Sequence, residues 1–267
     1  MNEIRLIDTH CHLDFKELKP RIKTVIEDAK TNYINEMVTI STNLSKIDAI
    51  KELSEDNEEI FFTVGVHPNE AHKDEKFDDY EFIKNYSSHL KCVGIGEGGL
   101  DYFYNKEHEN IQKKSLEVQI NVARTTNLPM IIHSRDADND MIDILNSEYK
   151  NGPFKAILHC FSSGEALANC GLNLDFFISF SGILTFNSAK QIQNIAKKIP
   201  LNKILVETDS PYLAPNPVRG TVNEPKNCFH TAQFLSKLLE IEFSMLSKTL
   251  YNNSLNIFEK IKRWKSK

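Results

Sequence analysis

Short apolar runs alternate along the whole chain with stretches of helical spacing. Runs at residues 4–7, 37–40, 60–66, 92–96, 130–132, 156–158, 176–180 and 204–206 predict eight buried strands. Between them lie amphipathic stretches. Residues 18–29 place Ile22, Val25, Ile26 and Ala29 on one helical face, and 45–53, 80–86, 107–126 and 138–149 follow the same period. Asn127 with Pro129 marks the end of the long fourth helix, and Asn151-Gly152-Pro153 reads as a turn. Ser162 with Glu165 and Ser188 with Gln191 have capping-box spacing, and Gly171 sits where a C′ glycine would close a helix. Two further helices are expected over 228–239 and 244–261.

Crossovers of this length favour parallel strands. Eight strand–helix units predict an α/β fold, a closed (β/α)8 TIM barrel formed as a single domain from residues 1–267. An open doubly wound sheet is the competing architecture. It usually has fewer strands and a glycine-rich phosphate loop after the first, whereas Gly96-Glu97-Gly98-Gly99 lacks that loop's spacing.

Composition narrows the picture. A chain of 267 residues with 40% hydrophobic and 26% charged residues is ordinary for a globular barrel. No apolar run approaches the ~18 residues of a membrane helix. The N-terminus carries only Arg5 as a basic residue, unlike a secretion signal. The five cysteines are scattered without Cys-x-x-Cys spacing, which favours reduced thiols and a cytoplasmic protein. The net charge of −5 provides no basic footprint. Nucleic acid would have to be held locally, by bound metal and a few arginines. The basic residues of 260–267 read as cations complementing a helix C-terminus. No obligate protein partner is evident.

The chemistry gathers at the strand ends. His10 and His12 leave one face of the first strand while Cys11 leaves the other. Glu97 ends the fourth strand, His133 the fifth, His159 the sixth and Asp209 the eighth. In a barrel these ends open on the C-terminal face, where catalytic sites lie. Four imidazoles and two carboxylates exceed one tetrahedral site and suit two divalent ions sharing a carboxylate. Histidine favours Zn, while carboxylates and phosphate substrates also suit Mg or Mn. Asp209 is the candidate to orient or deprotonate an attacking water. Glu207 shares its face and is expected to support a ligand from one layer deeper. His67, ending the third strand, is a candidate substrate contact. Arg135 is either a phosphate clamp or a salt-bridge partner of Asp136 or Asp138, and Arg219 is open to the same pair of readings. Phe161 and Tyr102 either stack on a base or pack the core. His72, His89, His108 and His230 read as surface or packing residues.

Several long motifs occur in order: Asp8-Thr9-His10-Cys11-His12-Leu13-Asp14, Gly65-Val66-His67-Pro68, Gly96-Glu97-x-Gly99-Leu100-Asp101-Tyr102, His133-Ser134-Arg135-Asp136-Ala137, His159-Cys160-Phe161-Ser162, Glu207-Thr208-Asp209-Ser210-Pro211-Tyr212-Leu213-Ala214-Pro215, and Arg219-Gly220 with Asn223-Glu224-Pro225. Nearly end to end, the chain resembles the TatD family of metal-dependent deoxyribonucleases, within the amidohydrolase-like superfamily. The resemblance implies that His10, His12, Glu97 and Asp209 hold one metal, and that Glu97 bridges to a second held by His133 and His159. It implies phosphodiester cleavage, commonly stepwise from the 3′ end of single-stranded DNA. Some relatives deacylate aminoacyl-tRNA, so the alternative is a D-aminoacyl-tRNA deacylase or another ester or amide hydrolase. The chain departs from the family at Gly98, where a larger residue is usual, and at Asn69, where a second histidine often stands. It departs again at Thr221-Val222, which replace a basic pair after Arg219-Gly220 and remove two phosphate contacts.

Overall fold

The structure, a computed structural model, describes residues 4–266. Residues 1–3, part of the expected leaderless start, and Lys267 of the basic tail lie outside the described residues. Eight parallel strands follow one another in chain order: β1 (Leu6–Cys11), β2 (Ile34–Thr39), β3 (Ile60–Val64), β4 (Cys92–Asp101), β5 (Met130–Arg135), β6 (Ala156–Leu158), β7 (Phe177–Phe180) and β8 (Ile204–Val206). The ring closes between β8 and β1, where Asp209 N donates to His10 O (2.9 Å) and His12 N to Ser210 O (2.8 Å). The expected (β/α)8 barrel is therefore the fold.

Around it run α1 (Ile22–Thr31), α2 (Ile47–Glu55), α3 (Tyr80–Ser87), α4 (Glu109–Thr126), α5 (Asp138–Lys150), α6 (Glu165–Asn173), α7 (Lys190–Ala196) and α8 (Cys228–Leu239), followed by α9 (Phe243–Ile257) and α10 (Glu259–Lys265). Two apolar layers result. The larger lies between strands and helices. The smaller fills the barrel with one residue or more from every strand, among them Phe61, Ile131 and Leu205, and is packed by Ile257, Phe258 and Ile261 near the chain's end. Filling the interior leaves the C-terminal rim as the place for chemistry.

The strands that carry the candidate site extend beyond their apolar runs. β1 continues through His10 and Cys11, and β4 continues through the glycine run to Asp101. Each holds an irregularity. From Asp8 to Cys11, β1 advances three residues while β2 advances two, Met37 to Thr39. From Ile95 to Gly98, β4 advances three while β5 advances two, Met130 to Ile132. An extra residue reverses the in–out alternation and re-aims side chains. Thus Ile7 belongs to the barrel interior and Cys11 to the outer layer, with His10 turned inward between them.

Several helix-end expectations need correction. The N-cap of α6 is Gly164 and that of α7 is Ala189, and neither makes a side-chain capping bond, so Ser162 and Ser188 do not cap them. Gly171 lies inside α6 and does not close it. Its role is close approach, since a Cβ there would meet Leu158 Cδ1 at 2.7 Å. The expected helix over 244–261 breaks at Phe258 into α9 and α10, which lets Phe258 turn under the barrel.

The fit at the end of β3 is tight enough to test. Gln119 of α4 reaches through the space beside Gly65 and Gly98 and clamps Val66, accepting from its N and donating to its O, both at 3.1 Å. A Cβ on Gly65 would lie 2.3 Å from Gln119 Oε1 and 2.4 Å from Gly96 Cα. Gly65→Ala is expected to lower stability by about 1–3 kcal/mol, the usual range for overpacking. Urea unfolding with an unchanged midpoint would show that this contact relaxes freely.

Candidate metal centre

All six expected ligands meet at the C-terminal rim. His10, His12, Glu97 and His159 are buried, and His133 and Asp209 are half-buried. Glu97 is the hub. Its Oε2 lies 3.2 Å from His10 Nε2 and 2.8 Å from His159 Nε2, while its Oε1 lies 3.3 Å from His67 Nε2. Asp209 Oδ1 completes the other side, 3.4 Å from His12 Nε2 and 3.6 Å from His10 Nε2. The rings of His10 and His159 stack at 3.8 Å, 5° from parallel. Three groups result whose donor atoms are close enough for one ion each: His10–Glu97–His159, His10–His12–Asp209 and His67–Glu97–His133.

The donors suit a cation. His10 Nδ1 and Nε2, His12 Nδ1, Glu97 Oε2 and His133 Nε2 are buried without a hydrogen-bond partner among the described residues. Unpartnered buried polar atoms cost free energy unless something satisfies them. Of these, His10 Nε2 and Glu97 Oε2 face one another at 3.2 Å without a hydrogen bond, an arrangement that a divalent ion relieves.

Neighbouring groups orient these rings. Glu207 Oε1 accepts from Cys160 N at 2.7 Å and faces His159 Nδ1 at 3.3 Å, which leaves His159 Nε2 directed at the centre. This is the supporting carboxylate expected beneath a ligand histidine. Asp101 Oδ2 stands 3.4 Å from His133 Nε2. Burial works against the Asp101 anion, yet His133 and the Tyr104 amide hold its carboxyl down at about 2. Asp101 lies within one of the sequence motifs, but nothing in the order of residues links it to His133.

His67 differs from the other rings. Its Nδ1 accepts from Asn69 N at 3.0 Å, so the neutral ring carries its proton on Nε2, facing Glu97. Burial pushes its pKa down to about 3, which keeps it neutral. That tautomer makes His67 a hydrogen-bond donor at the mouth and a poor metal ligand, despite its distances.

The charges of the remaining groups follow from the same crowding. Burial and the neighbouring His159 lower the pKa of His10. Burial opposes the His12 cation, but Asp209 and Glu97 raise its pKa above the ordinary value. Burial likewise opposes the His159 cation, and Glu97 and Glu207 outweigh it. Glu97 is held well below the usual carboxylate range, its burial overcome by His67, His159 and His10.

The other candidates lie apart from this cluster. Arg135 rests over the rings of Phe103 (4.0 Å) and Tyr104 (4.7 Å), and Arg219 over Phe186 (4.2 Å). Among the described residues neither forms an ion pair, so the salt-bridge reading to Asp136 or Asp138 gives way to stacking on aromatic rings. Phe161 is buried against Phe180, and the Tyr102 hydroxyl donates to Asp140 at 2.6 Å. Buried as it is, Phe161 presents no free face, so the core-packing alternative holds for it, while Tyr102 is half-buried. His89 pairs with Glu55 at 3.0 Å and His72 stacks on His108 at 4.0 Å, as surface residues do.

The family described as TatD related DNase matches residues 7–259. The chain is 36% identical over 253 residues to the uncharacterized metal-dependent hydrolase YabD of Bacillus subtilis, spanning 95% of this chain and 98% of that protein. It is 34% identical over 256 residues to the uncharacterized metal-dependent hydrolase YcfH of Escherichia coli, spanning 95% of each. The crystal structure of YJJV, a TatD homolog from Escherichia coli, superposes with a TM-score of 0.89 at 25% identity, over 96% of this chain and 98% of that one.

Two outcomes are expected of the metal centre. Glu97→Ala, dialysed and measured by plasma mass spectrometry, is expected to lose the bound metal of the parent, because Glu97 faces both sides of the cluster. Retention of the full metal content would remove Glu97 from the centre. The raised pKa values of His12 and His159 mean that both hold protons which a cation must displace. Raising the pH above the ordinary imidazole value of 6.5 removes those protons, so metal affinity is expected to climb with pH there. Calorimetry in buffers of different ionisation heat should show proton release, and buffer-independent heats would contradict it.

Proposed function

The chain belongs to the family of TatD related DNases and is a metal-dependent hydrolase, and we propose that the bond it cleaves is the phosphodiester of DNA, taken stepwise from the 3′ end of single strands. The observation that supports this most is Glu97. Its buried carboxylate stands against His10, a donor of the one group, and against His159, a donor of the other, so a single side chain could serve both ions.

In this reading His10, His12 and Asp209 hold one ion, His133 and His159 hold the other, and Glu97 joins both. Two bound ions of Mg, Mn or Zn would polarise a phosphoryl oxygen and lower the pKa of the attacking water. Asp209, half-buried like His133, would orient or deprotonate that water. His67 donates its Nε2–H to a substrate oxygen. Arg135 and Arg219, without a carboxylate partner among the described residues, supply local positive charge to the phosphates on a chain whose net charge is −5. With only two such contacts, affinity should depend weakly on salt, each contact contributing about −0.7 to the log–log slope for single strands.

Asp209→Asn is expected to fold normally and to lose about a hundredfold or more in turnover, the scale of a positioned general base. The substitution suits the site, since Asp209 has φ 57° and asparagine tolerates that region. The decisive assay titrates Mg, Mn and Zn against a 3′-labelled single-stranded oligonucleotide and, in parallel, a D-aminoacyl-tRNA. Cleavage of the oligonucleotide supports the proposal. Hydrolysis of the aminoacyl ester alone would move the assignment to a deacylase, for which the same donors would serve.

A further inference from the structure

The connection between β8 and α8 carries Asp209 near its start and the motif Asn223-Glu224-Pro225 near its end. A connection this long holds one shape only if it is tied internally. The tie is Asn223, which is fully buried. Its Nδ2 donates to Thr208 O at 3.0 Å and to Tyr212 O at 2.6 Å, and its backbone N donates to Pro211 O at 3.0 Å. Its Oδ1 accepts from Glu224 N and from Asn227 Nδ2, both at 3.0 Å. Both amide donors and the acceptor are in use, a set that only asparagine supplies among side chains of this length.

The turn 208–212 has five carbonyls, and three of them end on Asn223. The other two are Asp209 O, which accepts from Tyr212 N at 3.0 Å, and Ser210 O, which accepts from His12 N at 2.8 Å. Asp209 is thus gripped from two sides. β1 holds it where Asp209 N donates to His10 O at 2.9 Å, and Asn223 holds the carbonyls that flank it. The grip matters because Asp209 has φ 57°, a region that residues other than glycine rarely adopt. Asn223 is in turn anchored on the barrel wall. Glu224 Oε1 accepts from Arg21 Nη2 at 2.8 Å, and Lys226 Nζ donates to Asp28 of α1 at 2.7 Å.

We propose that Asn223 is a positioning residue of the metal centre: through the carbonyls of Thr208 and Tyr212 it sets the backbone of Asp209, and so aims that carboxylate at the ion held with His10 and His12. The proposal rests on the assignment of Asp209 to that ion and not on which bond the centre cleaves. Asp209 Oδ1 stands 3.4 Å from His12 Nε2 and 3.6 Å from His10 Nε2. A tilt of the turn would carry this oxygen away while both rings stay on β1. Partners behind a metal ligand commonly hold its side chain. Asn223 holds the main chain on both sides of the ligand instead, which fixes the direction of Cα–Cβ before the carboxylate is placed.

The test titrates Zn into the metal-stripped parent, Asn223→Ala, Asn223→Asp, Asp209→Asn and the Asn223→Ala/Asp209→Asn double variant, with binding read by calorimetry and stability by urea midpoint. Asn253→Ala is the control. Asn253 of α9 is also buried, and its Nδ2 donates to Leu201 O (2.9 Å) and Ile204 O (2.8 Å) at the opposite end of β8. Its loss removes the same kind of clamp far from the rim. Asn223→Ala should weaken Zn at one of the two sites by about tenfold to a hundredfold, the cost of losing a partner behind a ligand. Asn223→Asp keeps the size and the acceptor, gives up at least one donation and should weaken the same site; it carries the test if the alanine variant does not fold. In the Asp209→Asn background, Asn223→Ala should cost less than about twofold, because the group it acts through is already gone. Asn253→Ala should lower the urea midpoint and bind Zn as the parent does. Parental Zn affinity in the Asn223 variants, an undiminished loss in the Asp209→Asn background, or an equal loss in Asn253→Ala would overturn the positioning role alone. Parental Zn affinity in Asp209→Asn would remove Asp209 from the centre, and the proposal with it.

Discussion

The seam between the last strand and the first is the constraint on which the site depends. It joins residues some two hundred positions apart and is laced by more than the backbone. Asp209 N donates to His10 O and His12 N donates to Ser210 O. Below them, Thr208 N and Thr208 Oγ1 both donate to the buried Asp8 carboxylate, at 2.9 and 2.6 Å, and Thr9 Oγ1 donates to Val206 O at 3.0 Å. Burial, only partly offset by Thr208, raises the Asp8 pKa to about 8. Closing the ring and assembling His10, His12 and Asp209 are thus one event. Any loosening of the seam would separate the two strands that supply one side of the metal centre.

Two local irregularities do the rest of the aiming. A regular strand alternates its side chains, and the apolar residue that fills the barrel at Ile7 would send His10 outward. The extra residue in β1 reverses that alternation before His10, and the extra residue in β4 sets Glu97 toward the same space. The glycines around Glu97 make this passage possible, because neighbouring backbone comes too near for side chains. At Gly99, which has φ 156°, a Cβ would lie 1.9 Å from His133 O. Gln119 occupies the space that a larger residue at position 98 would fill, so the departure at Gly98 is absorbed by packing from α4. Asn69, a second departure, is likewise absorbed, as the brace between Asp101 and Asn105. The third, Thr221-Val222, leaves two exposed uncharged residues where the family usually has basic ones.

Burying this many titratable groups together opposes folding unless their charges are balanced. His159, whose proton is favoured by Glu97 and Glu207, supplies part of that balance. The unpartnered His10 Nε2 supplies none, and it is an atom that a cation satisfies. Stability has therefore been given up locally in a way that metal binding recovers, a pattern typical of functional sites. His67 marks the boundary of this set. Its backbone partner at Asn69 fixes the tautomer, so a ring that distance alone would count as a ligand is turned into a donor.

The amino-acid sequence by itself determined the alternation of strands and helices, the barrel, and the residues that meet at its rim. Those features are written in local periodicity and in the recurrence of His, Glu and Asp where apolar runs end, and parallel strands of a closed sheet must present those ends together. The sequence did not show which ring faces which oxygen. That depended on extra residues in β1 and β4, whose effect exists only relative to the neighbouring strand. Nor did it separate Phe161, buried behind its strand, from Phe103 and Tyr104, exposed on a loop whose course is set by Asp101 and Asn69. Helix ends misled for the same reason: Gly171 is small because Leu158 lies against it, and no pattern within α6 reveals a neighbour that only the packed barrel brings near.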